Sequence, residues 1–551
     1  MKTFLDVSKL SFRKSGVPLT PEQQMEILQK RMAGGAQALR PGDSLKDLEK
    51  FLAMRQPKDG TNILKPLPQH PAEPYRIKAV EIRGAVPTYE TRRAAIEAAG
   101  YNTFLLNEKE KPVIYIDLLT DSGTSAMSDL QWAAMMKGNE DYAGSRSFYP
   151  LEETIRDVYG WKEVVPTHQG RGAEHLLSSV YIKPLLEQYP GDPIYVPKNM
   201  YFTTTKVHIL KAGGTFVDII IDEAHDPTVV HPFKGNVDLK KLQKLIDECI
   251  EKWGPEHGPR HIAYVHLEGC ANMAGGQPFS MENLKAVRAL TKKYGIVLTL
   301  DATRVIENAY FIQQREAGYG DKTVAQIVRQ IGGLTDGCTM SSKKDHLVNI
   351  GGFLALDDSE KAAKARELLV DFEGFPTYGG MAGYSMEALS QGIREAVNDE
   401  WIAYRIGQTQ YLGQLLQSAD IPIVVPVGGH AVFIDARKFL AHIPQEQFPA
   451  QALAAALYLE SGVRAMERGI ASAGRDPKTG RNNTPKLELV RLTLPRRAYT
   501  QSHMDYVAEK VAALYAKRET IHGLDIEWEP AAGSLRFFLM RHKPIGGRLI
   551  D

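Results

Sequence analysis

The sequence has few cysteines, almost no net charge and no long apolar run. Three cysteines among 551 residues are too few and too scattered for a disulfide framework or a cysteine-rich zinc site. The 67 Lys and Arg residues are balanced by 66 Asp and Glu residues, so no overall field favours nucleic acid or an anionic membrane. No apolar run approaches the roughly 20 residues that span a bilayer. We therefore expect a cytoplasmic protein that binds neither nucleic acid nor membrane.

From residue 112 onward, short apolar runs alternate with stretches of helical periodicity. Strands that are apolar along their whole length and separated by helices predict an α/β fold with a mainly parallel, doubly covered sheet. The candidate strands are "VIYIDLL", "DPIYV", "GTFVDIII", "HIAYVHLE", "IVLTLDATR" and "NIGGFLAL". After about residue 400, the strand group "IPIVVPVGGHAVFIDARKF" and "LELVRLTLPRR" predicts a smaller α+β domain. Before residue 70, only two short amphipathic helices are predicted, near 21–33 and 43–54.

The first segment with chemical character is "VVPTHQGRGAEHLL". Gln169, Gly170, Arg171 and Gly172 lie there between a strand end and a helix. Glycines let the backbone approach an anion, the helix start offers free N–H groups, and the arginine adds positive charge. An anion cradle is therefore one interpretation, and a glycine-rich turn with a surface arginine is the other.

The second segment, "IVLTLDATRVIEN", places Asp301 at the end of a strongly apolar strand. A carboxylate there is costly to desolvate unless it has a partner. A protonated ring nitrogen of a ligand would be such a partner. Arg304 is the alternative, and it would make a structural ion pair with Asp301.

The third segment, "CTMSSKKDHLVNIGGFLAL", sets Lys343 beside Lys344 at the mouth of a predicted strand. Crowding by a second cation and partial burial lower the pKa of a lysine and make its amine a nucleophile. A solvated pair is the alternative for this segment alone. An anion cradle, a strand-end aspartate and a lysine, in that order, are typical of pyridoxal-phosphate enzymes of the aspartate-aminotransferase fold.

Longer motifs resemble one family within that fold. They are "IDLLTDSGTSAMSDLQWAAMMKGNEDYAGS", "VPTHQGRGAEHLL", "NMYFTTTK", "DGCTMSSKKD", "EGFPTYGG" and "VRLTLPRRAYT". They are similar to the tyrosine phenol-lyase and tryptophan indole-lyase family, the β-eliminating lyases that use pyridoxal phosphate. The resemblance covers about 480 of 551 residues. It implies a joining segment over 71–127, a large cofactor domain over 128–398 and a small domain over 399–551. Residues 1–70 lie outside the resemblance and are predicted to form an extension or arm.

The resemblance also assigns roles around the cofactor. It implies Lys344 as the Schiff-base lysine, Phe202 stacked on the pyridine ring, Asn272 bound to the phenolic oxygen O3′ and Asp301 paired with the ring nitrogen. Arg304 would line the same site. The residues implied around the phosphate are Gln169, Gly170, Arg171, Ser341 and Lys343. The substrate carboxylate would be held by Ser122 and Arg491, whose planar fork suits that group.

The far end of the pocket separates the two branches of the family. Arg468 and Phe537 stand where the phenol branch has arginine and phenylalanine, and Thr203, Met466 and Phe538 agree with that branch. The resemblance therefore implies elimination of L-tyrosine to phenol, pyruvate and ammonia, with Arg468 and Thr203 holding the phenol oxygen. A salt bridge from Arg468 to Glu467 or to another acid is the structural alternative.

The implied mechanism uses Lys344 to remove the α-proton, which gives a quinonoid carbanion, and Tyr142 to protonate the ring carbon. Tyr378, and Tyr142 with it, would reach the site from a neighbouring subunit. The implied assembly is a homotetramer built from dimers with shared active sites. A monovalent cation, usually potassium, would lie at a subunit interface. Its implied ligands are Gly123, Glu140 and Asn349.

Alternatives remain within and outside the family. An indole-lyase acting on tryptophan, or a broader lyase of S-substituted cysteines, is the enzymatic alternative. A cofactor-binding regulator, with the first 70 residues as a contact or nucleic-acid module, is the non-catalytic one. Tyr384 departs from the phenol branch, which we expect to carry an arginine there, but it is predicted to lie outside the pocket.

Overall fold

The computed structural model describes residues 13–14, 17–18, 73–476, 478–531 and 533–551. The predicted helices near 21–33 and 43–54 lie outside the described residues. Two short strands, β1 (Arg13–Lys14) and β2 (Val17–Pro18), pair with each other in antiparallel fashion. Residues 73–417 and 421–551 belong to one compact unit. Within the described residues, no helix combines the length and apolar character needed to cross a membrane.

A seven-stranded sheet forms the centre of that unit, in the order β4-β10-β9-β8-β7-β5-β6. The pairs among β5 to β9 are parallel, and β10 runs antiparallel to both of its neighbours. The predicted mainly parallel sheet is thus confirmed. Its strands are β4 (Glu163–Thr167), β5 (Tyr195–Lys198), β6 (Thr215–Asp218), β7 (Val265–Glu268), β8 (Leu298–Asp301), β9 (Gly337–Ser341) and β10 (Gly352–Leu356).

Helices flank this sheet and bury its faces. Strands β7 to β10 are buried along their whole length, as expected for a sheet covered on both sides. The helices up to residue 418 are α1 (Tyr89–Ala98), α2 (Asp129–Met135), α3 (Phe148–Tyr159), α4 (Gly170–Gln188), α5 (Thr203–Lys211), α6 (Leu239–His257), α7 (Met281–Lys293), α8 (Val305–Arg315), α9 (Val324–Gly332), α10 (Ser359–Phe372), α11 (Gly383–Ala396) and α12 (Asp399–Ser418).

Local sequence explains several helix starts. Ser280 accepts a hydrogen bond from the Asn283 N–H at the start of α7. Thr323 does the same for Gln326 at the start of α9, and the Gln326 side chain accepts from the Thr323 N–H. These reciprocal bonds satisfy N–H groups that a helix end leaves free.

The carboxyl-terminal part contains a second, three-stranded antiparallel sheet in the order β11-β14-β13, which confirms the predicted second strand group. Its strands are β11 (Ala431–Asp435), β13 (Met466–Arg468) and β14 (Leu489–Thr493). The remaining elements are β3 (Ile116–Asp117), β12 (Val463–Arg464), β15 (Leu524–Trp528), β16 (Arg541–Pro544), α13 (Ala436–Phe439), α14 (Pro449–Ser461), α15 (Ile470–Ala473) and α16 (Gln501–Ala516).

One predicted strand is placed differently. The run "VIYIDLL" contributes only β3, which pairs in parallel with β12 and lies outside the seven-stranded sheet. Its apolar side chains Ile114, Ile116 and Leu118 are nevertheless buried. The apolar side chains of this run predicted a strand of the central sheet. They are indeed buried, but the backbone of the run pairs with the carboxyl-terminal part of the chain instead.

Candidate active site

A cavity of about 230 Å³ lies beyond the carboxyl ends of the central strands, where ligands bind in open α/β sheets. Residues of the β11-β14-β13 sheet complete its far wall. Most of the predicted site residues line this cavity. They are Ser122, Gln169, Gly170, Arg171, Phe202, Thr203, Asn272, Asp301, Arg304, Ser341, Lys343, Lys344, Met466, Arg468, Arg491, Phe537 and Phe538.

The start of α4 forms one end of the cavity. Its N-cap residue, Gln169, makes no side-chain capping bond, so the first N–H groups of the helix are available to a ligand. A Cβ at Gly170 would lie 2.6 Å from the Ser341 Cβ, so only glycine lets the helix start approach β9 this closely. Lys343 Nζ donates to Gln169 Oε1 at 2.7 Å. Together with Arg171, these groups form a cationic cradle suited to a phosphate.

Lys344 follows directly on this cradle, just past the end of β9. Its Nζ donates to Ser341 Oγ at 2.8 Å. Burial, the Arg304 charge and the Lys343 charge lower the pKa of Lys344 to about 7. Its amine is therefore largely neutral slightly above neutral pH, as a nucleophile or base requires. Lys343 and Lys344 are both half-buried and line the cavity, which argues against the interpretation of a solvated surface pair.

Asp301 ends β8 and is buried. Burial favours its neutral form, but the charge of Lys198, the neighbouring His266 and the hydrogen bonds from Thr303 together outweigh that effect, so the pKa of Asp301 lies below its ordinary value. Lys198 is itself paired with Glu268 at 2.6 Å. An ionised carboxylate at this depth suits a cationic ring nitrogen.

Arg304 is not the partner of Asp301. Its guanidinium makes a two-pronged ion pair with Asp121, at 2.7 and 3.0 Å. The Asp301–Arg304 ion pair considered from the sequence is therefore wrong. The same Asp121 also binds Arg496, at 2.9 Å, so Arg304 belongs to a larger network of paired charges while still lining the cavity.

Strand register places three functional side chains on one face of the second sheet. Met466 pairs with Arg491 across β13 and β14, and side chains two residues apart share a face. Met466, Arg468 and Arg491 thus face the cavity, and Glu467 faces away. Arg491 donates to Asn272 Oδ1 at 3.1 Å and to the Leu119 carbonyl at 2.9 Å.

Arg468 lies at the far end of the cavity and is only 4% exposed. Its guanidinium carbon is 5.9 Å from the Phe202 ring centre and 5.8 Å from that of Phe537. Within the described part of the chain, its Nε and Nη1 have no hydrogen-bond partner. Glu467 instead binds backbone N–H groups, so the predicted alternative of an Arg468–Glu467 salt bridge is wrong.

Aromatic rings close this end. The ring centres of Phe537 and Phe538 lie 4.1 Å apart, and the Phe104 ring contacts both rings edge-on. Asn102 donates to the Phe537 carbonyl at 2.9 Å. An apolar slot that contains one buried guanidinium fits an aromatic ring with a single polar substituent.

Several predicted residues do not line the cavity of a single chain. Tyr142 is 60% exposed, and its ring lies 5.4 Å from that of Tyr378. Asn349 donates to the Gly123 carbonyl at 2.9 Å. Glu140 accepts from the Gly383 and Tyr384 N–H groups at the start of α11. The roles predicted for these residues stay predictions, and Tyr384 lies outside the cavity lining, as expected.

Sequence reasoning missed two buried acids in the cavity wall. Glu174 accepts a hydrogen bond from the Thr205 hydroxyl at 2.6 Å, and burial together with the Asp301 charge raises its pKa to about 7. Glu268 lies opposite Asp301 in the β7–β8 register. It ends an apolar strand as Asp301 does, so the same signal could have found it. The other missed lining residues are Phe104, Thr120, Thr204, Gly269, Thr303 and Thr339.

These residues fit pyridoxal phosphate. The cradle at α4 suits the phosphate, Asp301 suits the ring nitrogen, and Lys344 can form the covalent link. The Thr339 hydroxyl is buried at the cavity without a partner among the described residues. Such a polar atom is expected where a polar ligand supplies the missing bond.

Comparisons with known proteins agree with this geometry. An aspartate aminotransferase from Thermotoga maritima superposes with a TM-score of 0.50 at 13% identity, covering 77% of this chain and 97% of that one, which confirms the predicted fold. Tyrosine phenol-lyase of Symbiobacterium thermophilum is 60% identical over 475 residues, 86% of this chain and 99% of that protein. That of Pasteurella multocida is 58% identical with the same coverage, 86% and 99%. The family profile described as "Beta-eliminating lyase" matches residues 117–510. The chain belongs to the β-eliminating lyase family.

Proposed function

We propose that this lyase, with pyridoxal phosphate, converts L-tyrosine and water to phenol, pyruvate and ammonium. The observation that carries the proposal is Arg468, a buried guanidinium at the aromatic end of the cavity, whose Nε and Nη1 find no hydrogen-bond partner among the described residues. Such a group favours an ionised or ionising phenol oxygen by opposite charge. An indole ring carries no such oxygen and would leave the arginine buried without a partner, which is costly.

The residues of the chain divide the work by position. Arg491 and Ser122 hold the substrate carboxylate, and Arg468 with Thr203 holds the phenol oxygen at the opposite end. Bound between these ends, the substrate presents its α-carbon near Lys344, whose neutral amine accepts the α-proton. The cofactor, when bound, supplies the electron sink that makes this proton removable.

Carbon–carbon cleavage also needs a proton on the ring carbon that leaves. We assign this role to Tyr142, supplied by a second copy of the chain together with Tyr378. Tyr142 is exposed and contacts Tyr378 and Phe375, beside a surface that also exposes Leu130, Trp132 and Met136. Exposed apolar residues of this kind are typical of subunit interfaces. A homotetramer of dimers with shared sites is therefore part of the proposal.

A monovalent cation, usually potassium, completes the proposed assembly. Gly123 and Asn349 are in contact, and Glu140 would join them from a second copy. Dialysis of the holoenzyme from potassium into sodium buffer should lower tyrosine elimination, and restored potassium should recover it. Equal rates in both buffers would remove the cation from the proposal.

Rates of one purified holoenzyme with tyrosine, tryptophan and S-methylcysteine test the substrate. Phenol release from tyrosine should exceed indole release from tryptophan by at least about 10³-fold, because each unpaired buried polar group adds to the discrimination. Predominant indole release would favour the indole-lyase alternative. Activity with S-methylcysteine alone would favour a broader cysteine-conjugate lyase.

A further inference from the structure

Two carboxyl groups lie side by side behind Arg468. Glu467 and Glu488 are 3% and 1% exposed. They belong to neighbouring parts of the second sheet, since Glu467 is in β13 and Glu488 immediately precedes β14. A Cβ at Gly469 would lie 2.2 Å from the Glu488 Cδ. Only glycine at this position therefore admits the Glu488 carboxyl against the turn that follows Arg468.

These carboxyls bind the backbone that follows Arg468. Glu467 accepts from the N–H groups of Gly469, Ala471 and Ser472, the last two at 3.1 Å. Glu488 accepts from the Ile470 N–H at 3.0 Å. Four consecutive N–H groups thus end on two side chains. On its other side, Arg468 is held in register with Leu489 by the β13–β14 ladder.

The Arg468 side chain could also occupy a second place, and the bonds from Glu467 and Glu488 oppose this second placement. Arg468 also borders a second cavity, of about 340 Å³, whose lining includes Asp218. That outer cavity offers both space and a carboxylate to a guanidinium that has few bonds of its own. A small turn of the β13 backbone would carry Arg468 away from the substrate.

We infer that Glu467 and Glu488 are positioning residues that clamp the turn after Arg468 and thereby keep its guanidinium in the substrate cavity, which makes them determinants of selectivity for a phenolic substrate. This inference rests on the proposed function. It assigns no contact with substrate to either carboxyl. Their effect is transmitted through the backbone of the Gly469–Ser472 segment.

The charge state of the pair is consistent with a clamp. Burial and the neighbouring Glu467 raise the pKa of Glu488 to about 8, so one carboxyl is mostly protonated at neutral pH. The Gln445 side chain also donates to Glu488, at 3.0 Å. Glutamine at 488 has nearly the shape of the neutral acid and keeps an acceptor for the Ile470 N–H.

The experiment compares kcat/KM for tyrosine and for S-methylcysteine, whose thiol leaving group has no phenol oxygen. Glu488→Ala should lower the tyrosine value about 10²-fold, the cost of a misplaced contact, and the S-methylcysteine value less than about threefold. In Glu488→Gln, the ratio of the tyrosine kcat/KM to the S-methylcysteine kcat/KM should return most of the way to that of the unsubstituted enzyme. The visible absorbance of bound cofactor and the melting temperature should be measured for each variant.

Gly469→Ala is the second variant, because its methyl group displaces Glu488 without removing a carboxyl. Gly469→Ala should lower kcat/KM for tyrosine much more than kcat/KM for S-methylcysteine, as Glu488→Ala does. If Glu488→Ala does not fold, the result with Gly469→Ala tests the inference. Glu316→Ala is the matched control. Glu316 also accepts two N–H groups at a helix start, those of Met281 and Glu282 at 2.7 and 2.8 Å, but α7 carries no cavity residue.

Equal losses with both substrates in Glu488→Ala and Gly469→Ala, or no loss in either, would overturn the inference. The inference would also be overturned if Glu316→Ala lowered the ratio of the tyrosine kcat/KM to the S-methylcysteine kcat/KM as much as Glu488→Ala does. Failure of the proposed function looks different, because the unsubstituted holoenzyme would then release no phenol from tyrosine.

Discussion

Two sets of buried cations differ in their partners. Arg304 and Arg496 are saturated by carboxylates. They share Asp121, and Arg496 also binds Glu307 at 2.6 Å and Asp345 at 2.8 Å. Lys344, Arg468 and Arg491 form no salt bridge with any residue that the structure describes. The first set joins distant parts of the chain, and the second set lines the cavity with charge that a ligand can complete.

The comparison teaches that burial of a charge does not itself identify a functional group. Removal of a fully paired buried cation destabilises the fold strongly, because its carboxylate partners are left buried without compensation. An incompletely paired one is costly to the free protein and becomes favourable only with a ligand. The two sets should therefore respond differently when they are mutated.

The largest effect is expected at Lys344. Lys344→Ala removes the amine proposed to bind the cofactor and to accept the α-proton, so the elimination rate should fall at least about 10³-fold. The visible absorbance of the covalently bound cofactor near neutral pH should also disappear. Lys343→Ala is the control and should keep that absorbance. If Lys344→Ala retained it, the covalent link would belong to Lys343.

Arg468→Ile should have the next largest effect. Loss of a charged donor at the phenol oxygen should lower tyrosine elimination by about 10²–10³-fold. Elimination from S-methylcysteine should change little, because its leaving group does not use the guanidinium. Steady-state rates with both substrates measure this split. Equal losses with both would make Arg468 a structural residue and contradict the comparison.

Arg496→Met tests the paired set. It leaves Asp121, Glu307 and Asp345 short of a partner, which should destabilise the fold by about 3–5 kcal/mol. A markedly lower melting temperature of the holoenzyme would report it. Arg468→Met removes a cation that has no carboxylate partner, so its melting temperature should stay the same or rise. The opposite order of melting temperatures would contradict the distinction between the two sets.

The smallest effect concerns pH. Because the pKa of Lys344 is lowered to about 7, its neutral fraction rises tenfold per pH unit below 7 and levels off above it. The rate at which added cofactor develops its bound absorbance in the apoenzyme should follow that curve between pH 5.5 and 9. A rate that still rose tenfold per pH unit from pH 7 to pH 9 would indicate an ordinary lysine pKa, near 10.4.

Much of the fold and site followed from local sequence. Strands β5 to β8 and β10 were recognisable as apolar runs, and their helices by periodicity, because both patterns depend on neighbouring residues. Strand β9 (Gly337–Ser341) was not among the predicted strands. Asp301 stood out because a charge at the end of an apolar strand is unusual, and Lys344 because a second lysine adjoins it at the mouth of a predicted strand. Glu268 carries the same signal as Asp301 and was overlooked. The domain limits at residues 70, 127 and 398 stay a prediction.

The family branch was also recognisable locally, since Arg468, Phe537 and Thr203 are visible as residue types at motif positions. Their mutual arrangement was not. Phe537 reaches the cavity because Asn102, which is distant in sequence, binds its carbonyl. The strand register that points Arg468 inward and Glu467 outward depends on pairing with β14.

Residue type and strand position were enough to nominate Lys344 and Asp301 as site residues, and the family resemblance nominated Arg468. Which partner each buried charge binds could be determined only from the tertiary structure. Arg304 lies three residues from Asp301 in sequence, yet it pairs with Asp121, and Arg468 adjoins Glu467 without binding it. The reason is that desolvation and strand register, both set by contacts between distant segments, decide which charges meet and which stay available for a ligand.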